Sequence, residues 1–81
     1  MGVIYNYLGK YSKALDYYNQ ALDIYRFIDD KVGESTVINN IGAIYDSFGN
    51  YTKALDYYTQ ALDIRRSIED KTGESYTLNN I

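Results

Sequence analysis

Apolar residues recur along this chain at steps of three and four, which is the spacing of a helix that buries one face. The clearest run follows Asn50, and its apolar positions form two adjacent stripes: Tyr51, Leu55, Tyr58, Leu62 and Ile68 on one, and Tyr57, Ala61, Ile64 and Ile68 on the other. Adjacent stripes make a wide apolar arc, which is typical of a helix packed on both sides. The pattern predicts a helix that is capped by Asn50 and ends near Asp70.

A second helix is predicted before it, from about Lys31 to Phe48, with Asp30 as its N-cap and Gly49 just after its end. Its apolar stripe consists of Ile38, Ile41, Tyr45 and Phe48. Gly42 lies beside this stripe, where glycine costs about 1 kcal/mol relative to alanine. We therefore expect a close approach to a neighbouring helix there, with Ala54 and Ala61 opposite. The two helices form a hairpin with a turn of two or three residues.

The sequence of this hairpin occurs twice, as a tandem repeat. Residues 2–41 and 42–81 align without gaps, and 26 of the 40 aligned pairs are identical. In the first copy Lys10 replaces the capping residue Asn50, so Ser12 is the predicted start of the corresponding helix. A fixed period of this length predicts stacked helical hairpins, an all-α solenoid that forms one domain over residues 1–81.

Composition and charge argue against nucleic-acid-binding and membrane-binding functions. The net charge is −3 with acids and bases interspersed, whereas nucleic-acid and anionic-membrane surfaces need clustered Lys and Arg. No apolar run approaches the roughly 20 residues of a membrane span. The absence of Cys fits a reducing compartment and favours a cytoplasmic location. We therefore expect no nucleic-acid partner and no membrane partner.

The residues Ile38-x2-Ile41-Gly42-x2-Tyr45, followed by Ala54-x3-Tyr58, resemble the tetratricopeptide repeat signature, with Ile for the usual Trp and Tyr for the usual Phe. The period of 40 exceeds the usual 34, and Arg26 and Arg66 stand where a helix-ending Pro is usual. The repeat sequence is similar to that of the long-repeat branch of this family, which includes kinesin light chains, the Leu-Gly-Asn repeat proteins and microbial signalling scaffolds. The resemblance implies a right-handed superhelix whose concave wall binds extended peptides.

In proteins of that family the first helix of each unit lines the groove. Carried to this chain, the resemblance implies the groove residues Asn6, Tyr7, Thr36, Asn39, Asn40, Asp46, Ser47, Tyr76, Asn79 and Asn80. An Asn amide offers a donor and an acceptor together, so it can bind a peptide backbone whatever the peptide sequence. The alternative is that one Asn of each pair contacts a neighbouring helix and the other is solvated. A carboxylate clamp is rejected, because the flanking positions carry Val3, Tyr76 and Asn80 rather than Lys or Arg.

Other chemistry has weak support in the sequence. The 11 Tyr residues lie at helical spacing, which favours core packing over a stacking platform, with Tyr7 and Tyr76 as exceptions. Asp29, Asp30, Glu34 and Asp46 lack the spacing of an EF-hand, so we expect no metal site. Without His or Cys, catalysis needs converging carboxylates, and the acids lie mostly on outward faces. The sequence predicts no cofactor and no enzymatic activity.

The chain starts and stops inside its groove helix, which is thereby split across the two termini. This leaves apolar residues uncovered at both ends, namely Ile4, Tyr5, Leu8, Leu78 and Ile81. Such boundaries are typical of an excised or engineered piece of a longer array. The leading hypothesis is a peptide- or protein-binding scaffold module. The alternative is a structural module that associates head to tail through its incomplete terminal helices, in a contact that does not close.

Overall fold

The computed structural model describes the backbone of residues 2–81 and the side chains of residues 10–81. Four helices follow one another along the chain: α1 (Gly2–Phe27), α2 (Lys31–Ser47), α3 (Tyr51–Ser67) and α4 (Lys71–Asn80). The described backbone contains no strand. Helices α2 and α3 form the one complete hairpin of the repeat, and α1 and α4 pack on either side of it. The architecture is the predicted all-α solenoid of helix hairpins.

Polar caps set the starts of the last three helices. The side-chain oxygens of Asp30, Asn50 and Asp70 each accept a hydrogen bond from the backbone N–H three residues later, at 3.0, 3.3 and 2.9 Å. Such caps satisfy donors that a helix start leaves without partners. The predicted caps Asp30 and Asn50 are confirmed, and so is the three-residue turn between α2 and α3.

The core lies between α1, α2 and α3. Ile38 and Ile41 of α2 are each only 1% exposed, and they pack with Leu22 of α1 and Ala61 of α3. Gly42 provides the predicted close approach, because a Cβ atom there would lie 2.9 Å from the Tyr58 ring and 3.3 Å from the carbonyl oxygen of Ala54. Helix α2 is thus the central helix of the fold.

Two predicted boundaries are wrong. Helix α1 runs through Gly9 and Lys10 without a break, so it does not begin at Ser12. In the second copy Gly49 adopts φ +79° and Asn50 caps the next helix, whereas Lys10 has no oxygen with which to cap. Helix α3 ends at Ser67 rather than near Asp70, because Glu69 takes the left-handed conformation with φ +57°.

Candidate interaction surface

A polar seam joins α2 and α4, the first helices of successive units. Its central residue is Arg65 of α3, which is only 4% exposed. The Arg65 guanidinium donates through Nε to Ser35 Oγ at 3.2 Å, and through its terminal nitrogens to Thr36 Oγ1 at 3.3 Å and Thr77 Oγ1 at 2.8 Å. It also donates to the backbone carbonyl of Gly73 at 2.6 Å. The Arg65 side chain of α3 thus links α2 to α4 through hydrogen bonds to both helices.

The seam continues through hydroxyl and amide groups. Thr77 Oγ1 accepts from Arg65 and donates to Asn39 Oδ1 at 3.2 Å. Asn80 Nδ2 donates to the same Asn39 oxygen at 3.3 Å. Asn39 and Thr77 are almost completely buried. Because every bond runs from a donor to an acceptor without conflict, the network fixes the α2–α4 register.

The acceptors of Arg65 are neutral oxygens, and none of the ion pairs among the described side chains includes this residue. An arginine has five N–H donors, of which four are used here. The ring of Tyr76 lies 5.8 Å from the guanidinium carbon, so its π face adds an electrostatic contact. The hydroxyl and carbonyl dipoles and the Tyr76 ring therefore compensate the buried positive charge of Arg65 in place of a carboxylate.

The predicted groove residues whose side chains are described fall into three groups, namely exposed, half-buried and buried. Thr36, Asp46, Ser47, Tyr76 and Asn79 are exposed, while Asn40 and Asn80 are half-buried. Asn39 is buried in the seam with two donors on its oxygen, so the expectation that it lines an open groove is corrected. The alternative in which one Asn of a pair contacts a neighbouring helix describes Asn39. Asn6 and Tyr7 lie outside the described side chains.

The residues predicted to mediate self-association lie at the two ends of the chain, and the structure describes the side chains at the C-terminal end only. Ile4, Tyr5 and Leu8 lie outside the described side chains. Leu78 and Ile81 are 47% and 56% exposed. Their repeat equivalents in α2, Ile38 and Ile41, are among the most buried side chains of the fold. Among the described residues, Leu78 and Ile81 therefore form an exposed apolar rim at the end of α4.

A cleft of about 240 Å³ lies between the start of α3 and the end of α4. It is lined by Asp46, Tyr51, Ala54, Leu55, Tyr58, Asn80 and Ile81. Burial raises the pKa of the Tyr58 hydroxyl above its ordinary value, and the nearby charge of Asp46 raises it further.

Ion pairs link each second helix to the next first helix. Arg66 Nε lies 2.8 Å from Glu74 Oε1, and Arg26 Nε lies 3.7 Å from Glu34 Oε1. The hydrogen bond from Arg66 holds the pKa of Glu74 below its ordinary value. Within residues 10–81 the two arginines thus pair across a helix junction rather than along their own helix.

Sequence reasoning missed Arg65 as a seam residue. The signal was present in the comparison of the two copies, where Tyr25 becomes Arg65. The positions that contact Arg65 also change, since Thr36 becomes Tyr76 and Val37 becomes Thr77. A large-to-charged change on an apolar stripe, accompanied by an apolar-to-hydroxyl change opposite, indicates a buried polar contact.

The described residues contain no group of three or more His, Cys, Asp or Glu side chains placed to hold a metal ion. None of the described helices combines the length and apolar composition that a bilayer crossing requires. A family model described as tetratricopeptide repeat matches residues 1–67, which include α1, α2 and α3. No curated protein matches the chain in sequence.

Proposed function

We propose that this chain, which belongs to the tetratricopeptide repeat family, is a protein-interaction scaffold that binds an extended peptide along α2 and α4. The supporting observation is a set of exposed polar side chains on two successive first helices whose register the Arg65 seam fixes. These side chains are Thr36, Asp46, Ser47, Tyr76 and Asn79. Because the register of α2 and α4 is fixed, this surface loses little conformational entropy on binding, which favours recognition of a flexible segment.

Geometry supports an extended ligand. Packed helices lie about 8–10 Å apart, and an extended chain advances about 3.3 Å per residue, so about three peptide residues bridge α2 and α4. A peptide backbone alternates donors and acceptors over that distance. Asn40 and Asn79 each present both functions in one amide, and neither donates or accepts in the seam. They are the groove asparagines of this proposal.

The test compares two double variants. Asn40→Ala with Asn79→Ala removes the proposed peptide contacts, whereas Asn39→Ala with Asn80→Ala removes seam contacts. A peptide selected from a library of extended sequences against the native chain serves as the probe, and its affinity is measured by fluorescence anisotropy. We expect the first variant to bind about 10- to 100-fold more weakly with unchanged stability. Unchanged affinity would refute the role of these amides.

Self-association is the second candidate, and the exposed apolar rim favours it. Leu78 and Ile81 are about half exposed, whereas the equivalent residues Ile38 and Ile41 are buried. A peptide scaffold keeps a fixed mass on dilution, whereas a self-associating module changes its sedimentation coefficient between micromolar and millimolar concentration. A monomer mass throughout that range would eliminate this candidate and leave the first intact.

A further inference from the structure

An apolar stripe runs along α1, and its three large side chains are exposed, although Ala21 within it packs against the core cluster. It consists of Tyr17, Ala21, Ile24 and Ile28, and we call it the α1 stripe. Tyr17, Ile24 and Ile28 are 69%, 60% and 58% exposed. Their spacing of three and four residues places them on one side of the helix. The opposite face of α1 is not available for docking, because Leu22, Tyr18 and Tyr25 pack in or against the core there.

The equivalent stripe on α3 is covered. Its members are Tyr57, Ala61, Ile64 and Ile68, each 40 positions after its counterpart. Tyr57 stacks on Tyr45 of α2, with ring centroids 5.4 Å apart and planes within 2°. Ala61 is fully buried, and Ile64 packs against the core cluster. Helix α2 is therefore the natural cover for a stripe of this sequence.

Helix α4 and the residue after it carry the same covering face as α2, and this face is exposed in the part of the chain that the structure describes. Ser35, Ile38 and Ile41 of α2 are at most 1% exposed, whereas the equivalents Ser75, Leu78 and Ile81 of α4 are exposed. We call these three residues the α4 face. Helix α4 packs on α3 through a different side, where Gly73 and Thr77 contact Arg65, and Ile81, the residue after α4, borders the cleft beside the start of α3. The α4 face thus remains available to a further helix.

We propose that the α4 face of one molecule docks on the α1 stripe of a second copy, as α2 docks on α3 within one molecule. This inference rests on the self-association candidate above and identifies its two surfaces. The two surfaces are complementary because 26 of 40 aligned residues are identical and their equivalents already pack together. The change of Ile38 to Leu78 conserves volume, which packed contacts tolerate.

Register supports the same pairing. In the α2–α3 hairpin, Arg65 near the end of α3 reaches Ser35 and Thr36 near the start of α2. Helix α4 corresponds to that first part of α2, so its cover must lie on the C-terminal half of α1. Tyr17 and Ile24 lie in that half, and Ile28 directly follows its last residue. The contact therefore needs no turn at Gly9, unlike an interface built from Ile4, Tyr5 and Leu8.

The proposed contact joins two different surfaces, so each molecule keeps one free surface of each kind after pairing. Such a heterologous contact propagates head to tail rather than closing as a symmetric dimer. This property allows a mixing experiment. A variant blocked at the α1 stripe and another blocked at the α4 face cannot associate alone, yet together they retain one intact contact.

The test uses sedimentation velocity on Ile24→Glu, Leu78→Glu and an equimolar mixture of the two. Both residues are about half exposed or more in the single molecule, so circular dichroism should show native helicity. Asn19→Glu is the matched control, because it places the same charge on α1 at an exposed position outside the stripe. We expect each single variant to associate at least about 10-fold more weakly than the native chain, and Asn19→Glu to associate like it.

The mixture decides the matter. A heterodimer that grows no further supports the proposal. Two variants that both remain monomeric when mixed, while the native chain associates, would overturn it. Native association that Ile24→Glu does not weaken would overturn these surfaces yet leave self-association standing, whereas a native chain that never associates would remove both.

Discussion

The two junctions between a second helix and the next first helix share one backbone arrangement and differ in chemistry. At the α1–α2 junction the Tyr25 ring packs against Gly33 so closely that a Cβ atom there would lie 2.5 Å from it. At the α3–α4 junction Arg65 occupies the corresponding place against Gly73. The first junction is closed by aromatic packing, and the second by hydrogen bonds from a buried cation.

This difference shows that a repeat can keep its geometry while its junction changes from apolar to polar. The change needs partners, and the facing residues supply them, since Thr77 replaces Val37 and Tyr76 replaces Thr36. It also gives the two junctions different surfaces. Around Arg65, Thr36 and Tyr76 are held at the exposed wall on which we propose that a peptide binds.

The largest expected effect comes from removing the cation. Arg65→Met keeps an unbranched apolar stem and loses four hydrogen bonds, so we expect a loss of about 2–3 kcal/mol in the free energy of unfolding. Arg66→Met is the control, since the Arg66 side chain is about half exposed and should contribute less than the buried Arg65. Urea unfolding measures both. Equal effects for the two variants would contradict the buried role of Arg65.

The glycines of the two junctions should respond differently to alanine. At Gly33 the new Cβ meets the ring of Tyr25, so we expect Gly33→Ala to cost about 1–2 kcal/mol after the gain in helix propensity. At Gly73 it meets the Arg65 side chain, which four hydrogen bonds hold in place, and the Asp70 carboxylate that caps α4, so Gly73→Ala should cost more than Gly33→Ala. Chemical denaturation of both variants tests the order, and a reversed order would refute this account of the two contacts.

Acid should act on the second junction through Glu74. Its pKa is lowered in the folded state by the hydrogen bond from Arg66, so the native state favours the charged form. The contribution is present above the ordinary carboxyl pKa and is lost as pH falls through the lowered value. Thermal unfolding between neutral and acid pH should therefore lose part of its pH dependence in Glu74→Gln. An unchanged profile in that variant would show that Glu74 is not a source of the acid sensitivity.

The smallest expected effect concerns the helix ends that precede the two junctions. Asp29 and Glu69 both adopt φ +57°, a conformation that glycine tolerates best and aspartate better than glutamate. We expect Glu69→Gly to stabilise the fold by about 0.5–1 kcal/mol, and Asp29→Gly by less. A rise in the thermal midpoint that is larger for Glu69→Gly supports this reading, whereas a fall for that variant would contradict it.

Repetition made most of the fold predictable. The caps Asp30 and Asn50 and the apolar stripes follow from local spacing, because each involves residues on one helix or in one turn. The close approach at Gly42 joins α2 to α3, and it was predictable because a glycine beside an apolar stripe indicates a neighbouring backbone. The uninterrupted α1 was missed because a glycine such as Gly9 stops a helix only when the next residue can cap. The end of α3 was missed because Glu69 carries no sequence mark of a left-handed residue.

The candidate surface was less predictable. An Asn pair offers two readings, and the sequence alone does not tell which amide is taken by a neighbouring helix. Asn39 is buried because Thr77 and Asn80 reach it across a separation of about 40 residues, which is a property of the α2–α4 register. Arg65 posed the same problem, since its helix also carries exposed arginine at Arg66.

The most direct measurement converts the second junction into the first. Arg65→Tyr alone places a tyrosine against the Thr77 hydroxyl and should cost about 2 kcal/mol. Adding Tyr76→Thr and Thr77→Val restores the residues of the first junction, and we predict that urea unfolding of this triple variant returns to within about 1 kcal/mol of the native chain. A triple variant that is less stable than Arg65→Tyr would contradict the claim that the two junctions are interchangeable solutions of one geometry.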